Sequence, residues 1–257
     1  MGRYLLRCGA LGYLAVLLLA PVGLVFYRAF EHGFWPAWHA IASPDAMHAL
    51  KLTLVAAAIA VPANMVFGIL CALAIVRYRV PGFRLVNALV DLPLALSPVV
   101  VGLSLLLLYG RNGWLGGHNV LFATPAIVLA TIFVSLPFVV REVVPVLREI
   151  GTEQEQAAST LGASGFEIFR RITLPSIRWA VAYGVVLTTA RALGEYGAVR
   201  VVSGNIVGQT ETTTLFVANR YQDFETQAAY AASIVLALIA VVTLLLMNRL
   251  RPKEETR

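Results

Sequence analysis

The sequence predicts an all-α membrane protein, and its composition, its long apolar segments and the placement of its arginines support that prediction. Of the 257 residues, 59% are hydrophobic and 13% are charged, whereas a soluble domain carries about 25% charged residues. Six apolar segments approach the roughly 20 residues that a helix needs to cross a bilayer, too long for barrel strands of about 10 residues. They are residues 8–28, 52–76, 85–109, 120–140, 177–199 and 228–248.

The first segment follows Arg3 and Arg7 and carries no charge from Cys8 to Tyr27. Its length and the lack of a clear small-residue cleavage site favour a retained anchor over a signal peptide. We therefore expect three units in the chain. They are an anchor with an external loop (1–47), one membrane domain (48–250) and a charged tail (251–257).

The third segment contains two prolines, Pro93 and Pro98, on either side of Ser97. Prolines remove helical hydrogen bonds, which a membrane tolerates only where protein or water satisfies the freed groups. A kinked or broken helix is therefore predicted here. The freed amides and the Ser97 hydroxyl could donate to an anion, or the kink could serve packing alone.

The basic residues predict the orientation. They concentrate before the first segment, between the second and third, between the fourth and fifth, and after the sixth. Because loops rich in Arg and Lys remain in the cytoplasm, we expect six transmembrane helices with both termini cytoplasmic. The segments 31–47 and 201–227 are then short external loops.

The fifth segment carries two charges four residues apart, Arg191 and Glu195. A charge at the bilayer centre costs about 2.5–3.5 kcal/mol on insertion scales, so the pair needs a purpose. It is either a structural or gating ion pair, or Arg191 lines an anion path while Glu195 limits how tightly the anion binds. Thr188 and Thr189 nearby either bond a neighbouring helix or face the same path.

Residues 141–178 form a connection far longer than the 2–8 residues usual between helices. Thr152 with Glu155, and Ser164 with Glu167, match capping boxes and predict short helices at about 153–161 and 165–172. Gly162 supplies the turn between them, and Pro175 is expected to end the second. This unit is either a handle for another protein or a structure packed beneath its own bundle.

Other sites have little support in the sequence. The two cysteines and four histidines show no ligand spacing, so no metal site is predicted. No basic patch is interleaved with aromatic residues, which argues against nucleic-acid binding. No phosphate-binding G-x-x-x-x-G-K-[ST] motif occurs, so any ATP must be hydrolysed elsewhere.

The pattern Gln156-Ala157-Ala158, three residues, Gly162, nine residues, Ile172-x-Leu174-Pro175 resembles the EAA loop of ATP-binding-cassette (ABC) importer permeases. In that family the loop docks in a groove of the ATPase subunit. The sequence departs from the motif at Gln156, where the family has Glu, with Glu155 just before it. The resemblance implies the type I importer permease fold and a coupling loop at 141–178. It implies ATPase contacts by Glu155, Gln156, Ala157, Ala158, Gly162, Ile172, Leu174 and Pro175.

Three further stretches resemble sulfate/thiosulfate permeases of the W type, although molybdate permeases share part of the last one. They are residues 91–93 with 97–102, residues 137–142, and residues 187–199 with 201–205. This resemblance implies a permease with no cofactor of its own in a bacterial inner (plasma) membrane. Its implied partners are a T-type permease subunit, two ATPase subunits that bind ATP and Mg, and an external sulfate-binding protein. The alternatives are a molybdate or tungstate permease, a secondary transporter or a membrane scaffold.

Overall fold

The computed structural model describes residues 2–78, 82–111, 113–115 and 120–250, and every regular element in them is helical. The all-α prediction is therefore confirmed, while the predicted tail at 251–257 lies outside the described residues. The elements are α1 (Gly2–Phe30), α2 (Phe34–Ile41), α3 (Pro44–Val76), α4 (Phe83–Ala95), α5 (Pro98–Tyr109), α6 (Thr124–Ile150), α7 (Glu153–Thr160), α8 (Gly165–Ile168), a π turn (Phe169–Thr173), α9 (Leu174–Leu193), α10 (Gly197–Val202), α11 (Thr213–Gln222) and α12 (Thr226–Leu250).

Four of the described helices, α1, α3, α6 and α12, are long and apolar enough to cross a membrane, and α4 with α5 makes a fifth if the pair is one span. The fifth predicted span corresponds to α9, which has 20 residues but does not meet the same criterion. It packs against α3, α6 and α12, and a membrane helix tolerates polar residues where they face neighbouring helices instead of lipid. The count of six spans and the side of the termini stay predictions.

The centre of the bundle is α6, which packs between α3 and α9. Helices α3 and α9 both approach α6 closely at Val139, where each of them has a glycine. A Cβ placed on Gly68 of α3 would lie 2.6 Å from the Val139 Cβ, and one on Gly184 of α9 would lie 2.9 Å from its Cα. Small residues at helix contacts are typical of membrane bundles, where backbone proximity supplies the packing energy.

The predicted break in the third segment is confirmed. Helices α4 and α5 meet at an angle of 112°, with Leu96 and Ser97 extended and Pro98 in the first turn of α5. Proline is favourable there because a first-turn residue needs no amide donor. The chain therefore turns sharply at this point instead of bending gently.

The predicted fifth span, 177–199, is wrong at its end because α9 stops at Leu193 and α10 starts at Gly197. This second break packs against the first one. A Cβ on Gly197 would lie 2.9 Å from the Pro98 Cβ, and one on Gly102 would lie 2.8 Å from the Ala198 carbonyl oxygen. Helices α5 and α10 therefore touch almost backbone to backbone.

The predicted loops at 31–47 and 201–227 are also wrong in part, because they contain α2, the first turn of α3, and α11. Helix α11 is polar in sequence, but it buries Leu215 and Phe216 on one side and pairs its polar side chains on the other. Its helical character comes from these tertiary contacts, which override weak local propensity.

Candidate functional site

The elbow, residues 151–173, is the protruding connection between α6 and α9. Gly151 ends α6 with a φ of +69°, and Gly162 turns the chain between α7 and α8 with a φ of +88°. Glycine adopts such positive φ values without the strain that a Cβ brings. A Cβ on Gly162 would meet nothing within 4 Å, so the surface above the turn is open.

The two predicted short helices differ from the structure at the second one. Helix α7 covers Glu153–Thr160, close to its prediction. Helix α8 has only four residues and continues through the π turn into α9. The prediction that Pro175 ends this helix is wrong, because it lies in the first turn of α9 directly after the wider π turn, where its missing amide costs little.

One of the two predicted capping boxes is confirmed. The Ser164 hydroxyl accepts from the Glu167 amide, and the Glu167 carboxylate accepts from the Ser164 amide at 3.1 Å. That hydrogen bond to the Ser164 backbone lowers the pKa of Glu167, helped by the Ser164 hydroxyl and by the charge of Arg171. The predicted box at Thr152 is wrong. The Thr152 side chain accepts from no backbone amide of α7, and Glu155 binds Arg77 instead.

Glu155 faces the protein interior. Its Oε2 lies 2.9 Å from Nε of Arg77, and its Oε1 accepts from the Thr173 hydroxyl at 2.9 Å. Only 20% of its side chain is exposed. The Glu155 carboxylate is therefore already bound by side chains of its own chain.

Gln156 next to it is exposed, and its side-chain amide donates to the Thr152 hydroxyl at 3.0 Å. Ala157 beside it is also exposed, and Ala158 is half-buried. The most prominent apolar side chains of the elbow are Leu161, 88% exposed, and Phe166, 71% exposed. Large exposed apolar groups on a small protrusion are typical of an interaction surface.

An open groove of about 430 Å³ runs along this outer side. It is bordered by small and apolar residues and by one acidic and one basic side chain, Glu167 and Arg171. The remaining lining residues are Ala158, Leu161, Gly162, Ala163, Ile168 and Ile172. Leu174 packs inward on the bundle core, and Pro175 is exposed. Of the predicted docking residues, Ala158, Gly162 and Ile172 border this groove, Gln156, Ala157 and Pro175 are exposed, and Glu155 and Leu174 turn inward.

The predicted pair Arg191 and Glu195 is in contact, with Nη1 and Oε2 separated by 2.6 Å. Among the described residues, Oε2 has no aligned hydrogen-bond donor, so the contact is an ion pair. The two residues are not on one helix, because Glu195 lies in the break after α9. There its Oε1 accepts from the Ala198 amide at 2.9 Å and caps α10. This buried carboxylate holds the break together, and Arg191 keeps 30% of its side chain exposed.

The other predicted path residues are spread over this region. Ser97 is exposed at the start of α5 and its side chain makes no cap. Thr189 donates to the Val185 carbonyl of its own helix at 2.8 Å. Thr188 is fully buried, and its hydroxyl has no hydrogen-bond partner in the part of the chain that the structure describes. Ser97 adjoins Pro98, which touches the second break at Gly197, so Ser97 and Glu195 belong to neighbouring breaks.

Two sets of interacting residues are absent from the sequence-based prediction. The first is Arg77, which the sequence offers only as one of several orientation-setting arginines. The second is a distal network, defined as Arg200, Asn205, Glu211 and Asn219, at the other end of α9 from the elbow. Asn219 accepts from Arg200 at 2.9 Å and from Asn205 at 3.0 Å, and its amide donates to Asn205 and Glu211. The sequence gives no periodic signal for either set.

Similar proteins were found by sequence and by structure. Residues 64–255 match the family model described as "Binding-protein-dependent transport system inner membrane component". The chain is 50% identical to the sulfate transport system permease protein CysW of Synechocystis, over 98% of this chain and 93% of that one. It is 49% identical to CysW of Escherichia coli K12, over 95% and 86% of the two chains.

A second permease type matches more distantly. The sulfate transport system permease protein CysT of Salmonella typhimurium is 38% identical over 94% of this chain and 89% of that one. A crystal structure of a bacterial ABC transporter that imports alginate shares the fold, with a TM-score of 0.79 at 20% identity, over 96% of this chain and 93% of that one. The predicted type I permease fold is therefore confirmed.

The matched residues, 64–255 of the 257, extend from within α3 to beyond α12. Its members are membrane components of transport systems, so the prediction of a permease subunit that is not itself an enzyme is confirmed. The chain belongs to the family of binding-protein-dependent transport system inner membrane components.

Proposed function

We propose that this chain is the W-type permease subunit of an ATP-driven importer of sulfate and thiosulfate. The observation that carries the proposal is the 50% identity to a sulfate permease over nearly the whole of both chains. The 38% identity to CysT supports pairing with a T-type subunit, since two related but distinct permeases suit a heterodimer that encloses one path.

In this proposal the elbow receives the force of ATP hydrolysis. Leu161 and Phe166 enter a groove on a cytoplasmic ATPase subunit, with Gly162 allowing close approach and Gln156 making a polar contact. Glu155 does not contact the ATPase, because its carboxylate is bound to Arg77 and Thr173. The complete transporter has two ATPase subunits that bind ATP and Mg, and an external sulfate-binding protein delivers the anion. We place it in a bacterial inner membrane.

The anion path passes the two helix breaks. Arg191 offers a partly exposed guanidinium, whose charge offsets that of a passing dianion, while Glu195 holds Arg191 in place. The exposed Ser97 hydroxyl at the neighbouring break supplies a neutral donor. The Thr188 hydroxyl, buried without a partner among the described residues, becomes available only if α9 shifts. Together these groups bind the anion weakly enough to release it.

The test is uptake of radiolabelled sulfate by proteoliposomes that contain this chain, its T-type partner, the ATPase and the binding protein. We expect uptake that requires both ATP and the binding protein, with thiosulfate competing. A Walker-motif lysine variant of the ATPase is the control and should abolish uptake.

Molybdate serves as the discriminating competitor. Excess molybdate should leave sulfate uptake largely unchanged. If molybdate is transported in preference at equal concentration, the chain is a molybdate or tungstate permease. Uptake that persists without ATP would contradict the importer mechanism altogether.

A further inference from the structure

Arg77 ends the longest described helix, α3, and its side chain makes four contacts with other parts of the chain. Nη1 donates to the Leu147 carbonyl at 2.9 Å, and Nη2 donates to the Gly151 carbonyl at 2.7 Å. Nε faces the Glu155 carboxylate, 2.9 Å from Oε2 and 3.2 Å from Oε1. Only 10% of the side chain is exposed.

The two carbonyls are at the end of α6, where helical amide donors run out. A planar guanidinium with donors in fixed directions can serve both carbonyls and a carboxylate at once, which a lysine ammonium matches poorly. Arg77 therefore fixes the C-terminal end of α6 and the first turn of α7 in one geometry.

The Glu155 carboxylate extends this contact to the far side of the elbow. It accepts from the hydroxyl of Thr173, which is 5% exposed and ends the π turn that leads into α9. The chain of contacts Arg77, Glu155, Thr173 thus joins α3 to both arms of the elbow. Charge-assisted hydrogen bonds of this kind are the stronger ones in proteins.

The backbone does not connect α3 directly to the elbow. Helices α6 and α9 are continuous with the elbow, so any movement of the elbow moves them. Helix α3 is not continuous with the elbow. Among the described residues, every hydrogen bond or ion pair between the end of α3 and the elbow involves Arg77.

We propose that Arg77, with Glu155 and Thr173, is a positioning unit that makes α3 move with the elbow. The inference rests on the proposed function, in which an ATPase moves the elbow. Without Arg77 the ATPase still docks, because the outer surface of the elbow is intact. Its motion then reaches α3 only through the apolar packing of α3 on α6 and α9, and less anion is moved for each ATP hydrolysed.

The test measures sulfate transported per ATP hydrolysed in the reconstituted transporter. Arg77→Met should lower this ratio about tenfold, a coupling loss of ordinary allosteric size. The amount of ATPase that co-purifies should stay within about twofold of the wild type. Glu155→Gln should lower the ratio less, and Arg77→Lys should lie between Arg77→Met and the wild type. Thr173→Val should lower it while Thr173→Ser, which keeps the hydroxyl, should not.

Arg148→Met is the matched control. Arg148 is an exposed arginine beside Leu147, with no ion pair among the described residues, and its loss should leave the ratio unchanged. A wild-type ratio in Arg77→Met, or hydrolysis and transport that fall together as in a merely unstable protein, would overturn the proposal.

A measurement on the full permease chain without substrate separates this inference from the substrate assignment. In a variant lacking Cys8 and Cys71, spin labels at Tyr78→Cys and Gln154→Cys report the distance between the end of α3 and α7. We expect a narrow distribution that broadens about twofold with Arg77→Lys or Thr173→Val. If the width of the distance distribution is unchanged in the variants, the positioning role is overturned even if sulfate is transported. If the distribution broadens but sulfate is not taken up, the result counts only against the proposed substrate.

Discussion

The elbow and the distal network lie at opposite ends of α9, about 30 Å apart along its 20 residues. They use polar residues in opposite ways. In the distal network Asn219 bonds three neighbours, and the Glu211 carboxylate is 2% exposed. In the elbow one charged group, Glu155, is bound inside, while Gln156, Leu161 and Phe166 are exposed, and Gln156 bonds only to Thr152 of the same elbow among the described residues.

This difference indicates which end is scaffold and which is interface. A network of mutual hydrogen bonds centred on Asn219, with the buried Glu211 as one member, fixes a single geometry. An element whose inner face is anchored and whose outer face is apolar and open is prepared for a partner. The five predictions below test that contrast, from the largest expected effect to the smallest.

The largest effect should follow from removing the hub of the distal network. Asn219→Leu leaves Arg200, Asn205 and Glu211 without their shared partner, and we expect a loss of about 3 kcal/mol in unfolding free energy. The measurement is the thermal unfolding midpoint in detergent. Gln222→Leu, at the exposed end of α11, is the control and should change stability by less than about 0.5 kcal/mol. Equal shifts in the two variants would contradict a scaffold role.

The contact between the two helix breaks should be the next most sensitive site. Gly102→Ala places a Cβ 2.8 Å from the Ala198 carbonyl oxygen and 2.8 Å from the Val201 Cβ, and such overpacking costs about 2 kcal/mol. Gly165→Ala, where a Cβ meets nothing within 4 Å, is the control in the elbow and should be tolerated. If Gly165→Ala lowers the thermal unfolding midpoint more than Gly102→Ala does, the close packing of α5 on α10 does not stabilise the region of the two helix breaks.

In the elbow, Gly162→Leu should affect assembly more than folding. The residue needs a φ of +88° and lies under open space, so a bulky side chain strains the turn and keeps the ATPase away. We expect about tenfold weaker ATPase binding, measured by titration of the detergent-purified permease. Gly162→Asn should fall between Leu and wild type, because asparagine is smaller and tolerates positive φ better. Undiminished complex formation by Gly162→Leu would remove the docking role from this turn.

Removing each of the two potential helix caps of the elbow should change local stability by different amounts. Ser164→Ala removes a real cap of α8 and should cost about 1 kcal/mol of local stability. Thr152→Ala removes a hydroxyl that caps no amide and should cost less than about 0.5 kcal/mol. Hydrogen exchange of the elbow amides reports both changes. Similar effects in the two variants would mean that the capping geometry is not what orders the segment.

The smallest effect concerns pH. Burial raises the pKa of Glu211, opposed by the hydrogen bond from Asn219 and the charge of Arg220. The folded state therefore holds this proton more tightly than the unfolded chain, so Glu211 favours folding at low pH and loses that advantage as the pH rises through its raised pKa. Between pH 8 and pH 5 the wild type should gain stability relative to Glu211→Gln. Parallel pH profiles of the two midpoints would contradict this.

The sequence predicts well those features that depend on local patterns. Apolar runs identify the helices, because length and composition alone decide whether a segment can lie in lipid. Pro93 and Pro98 predict the first break, since a proline disturbs its own helix. Ser164 and Glu167 predict a cap because they are only three positions apart.

Features that depend on distant contacts are missed. The break after Leu193 has no proline, and it forms where Glu195 caps α10 and its backbone carbonyl accepts from the Thr214 hydroxyl at 2.7 Å. The capping role expected for Glu155 fails because Arg77, 78 residues away in sequence, binds the carboxylate instead. Charged pairs of this kind leave no periodic trace in the sequence, so only the folded chain reveals them.

The most direct test of the contrast between the two ends is hydrogen exchange of the full permease with and without its cognate ATPase. The account predicts that ATPase addition slows exchange in the elbow, above all around residues 156–168, and leaves residues 200–219 of the distal region unchanged. Slower exchange in the distal region with no change in the elbow would contradict it.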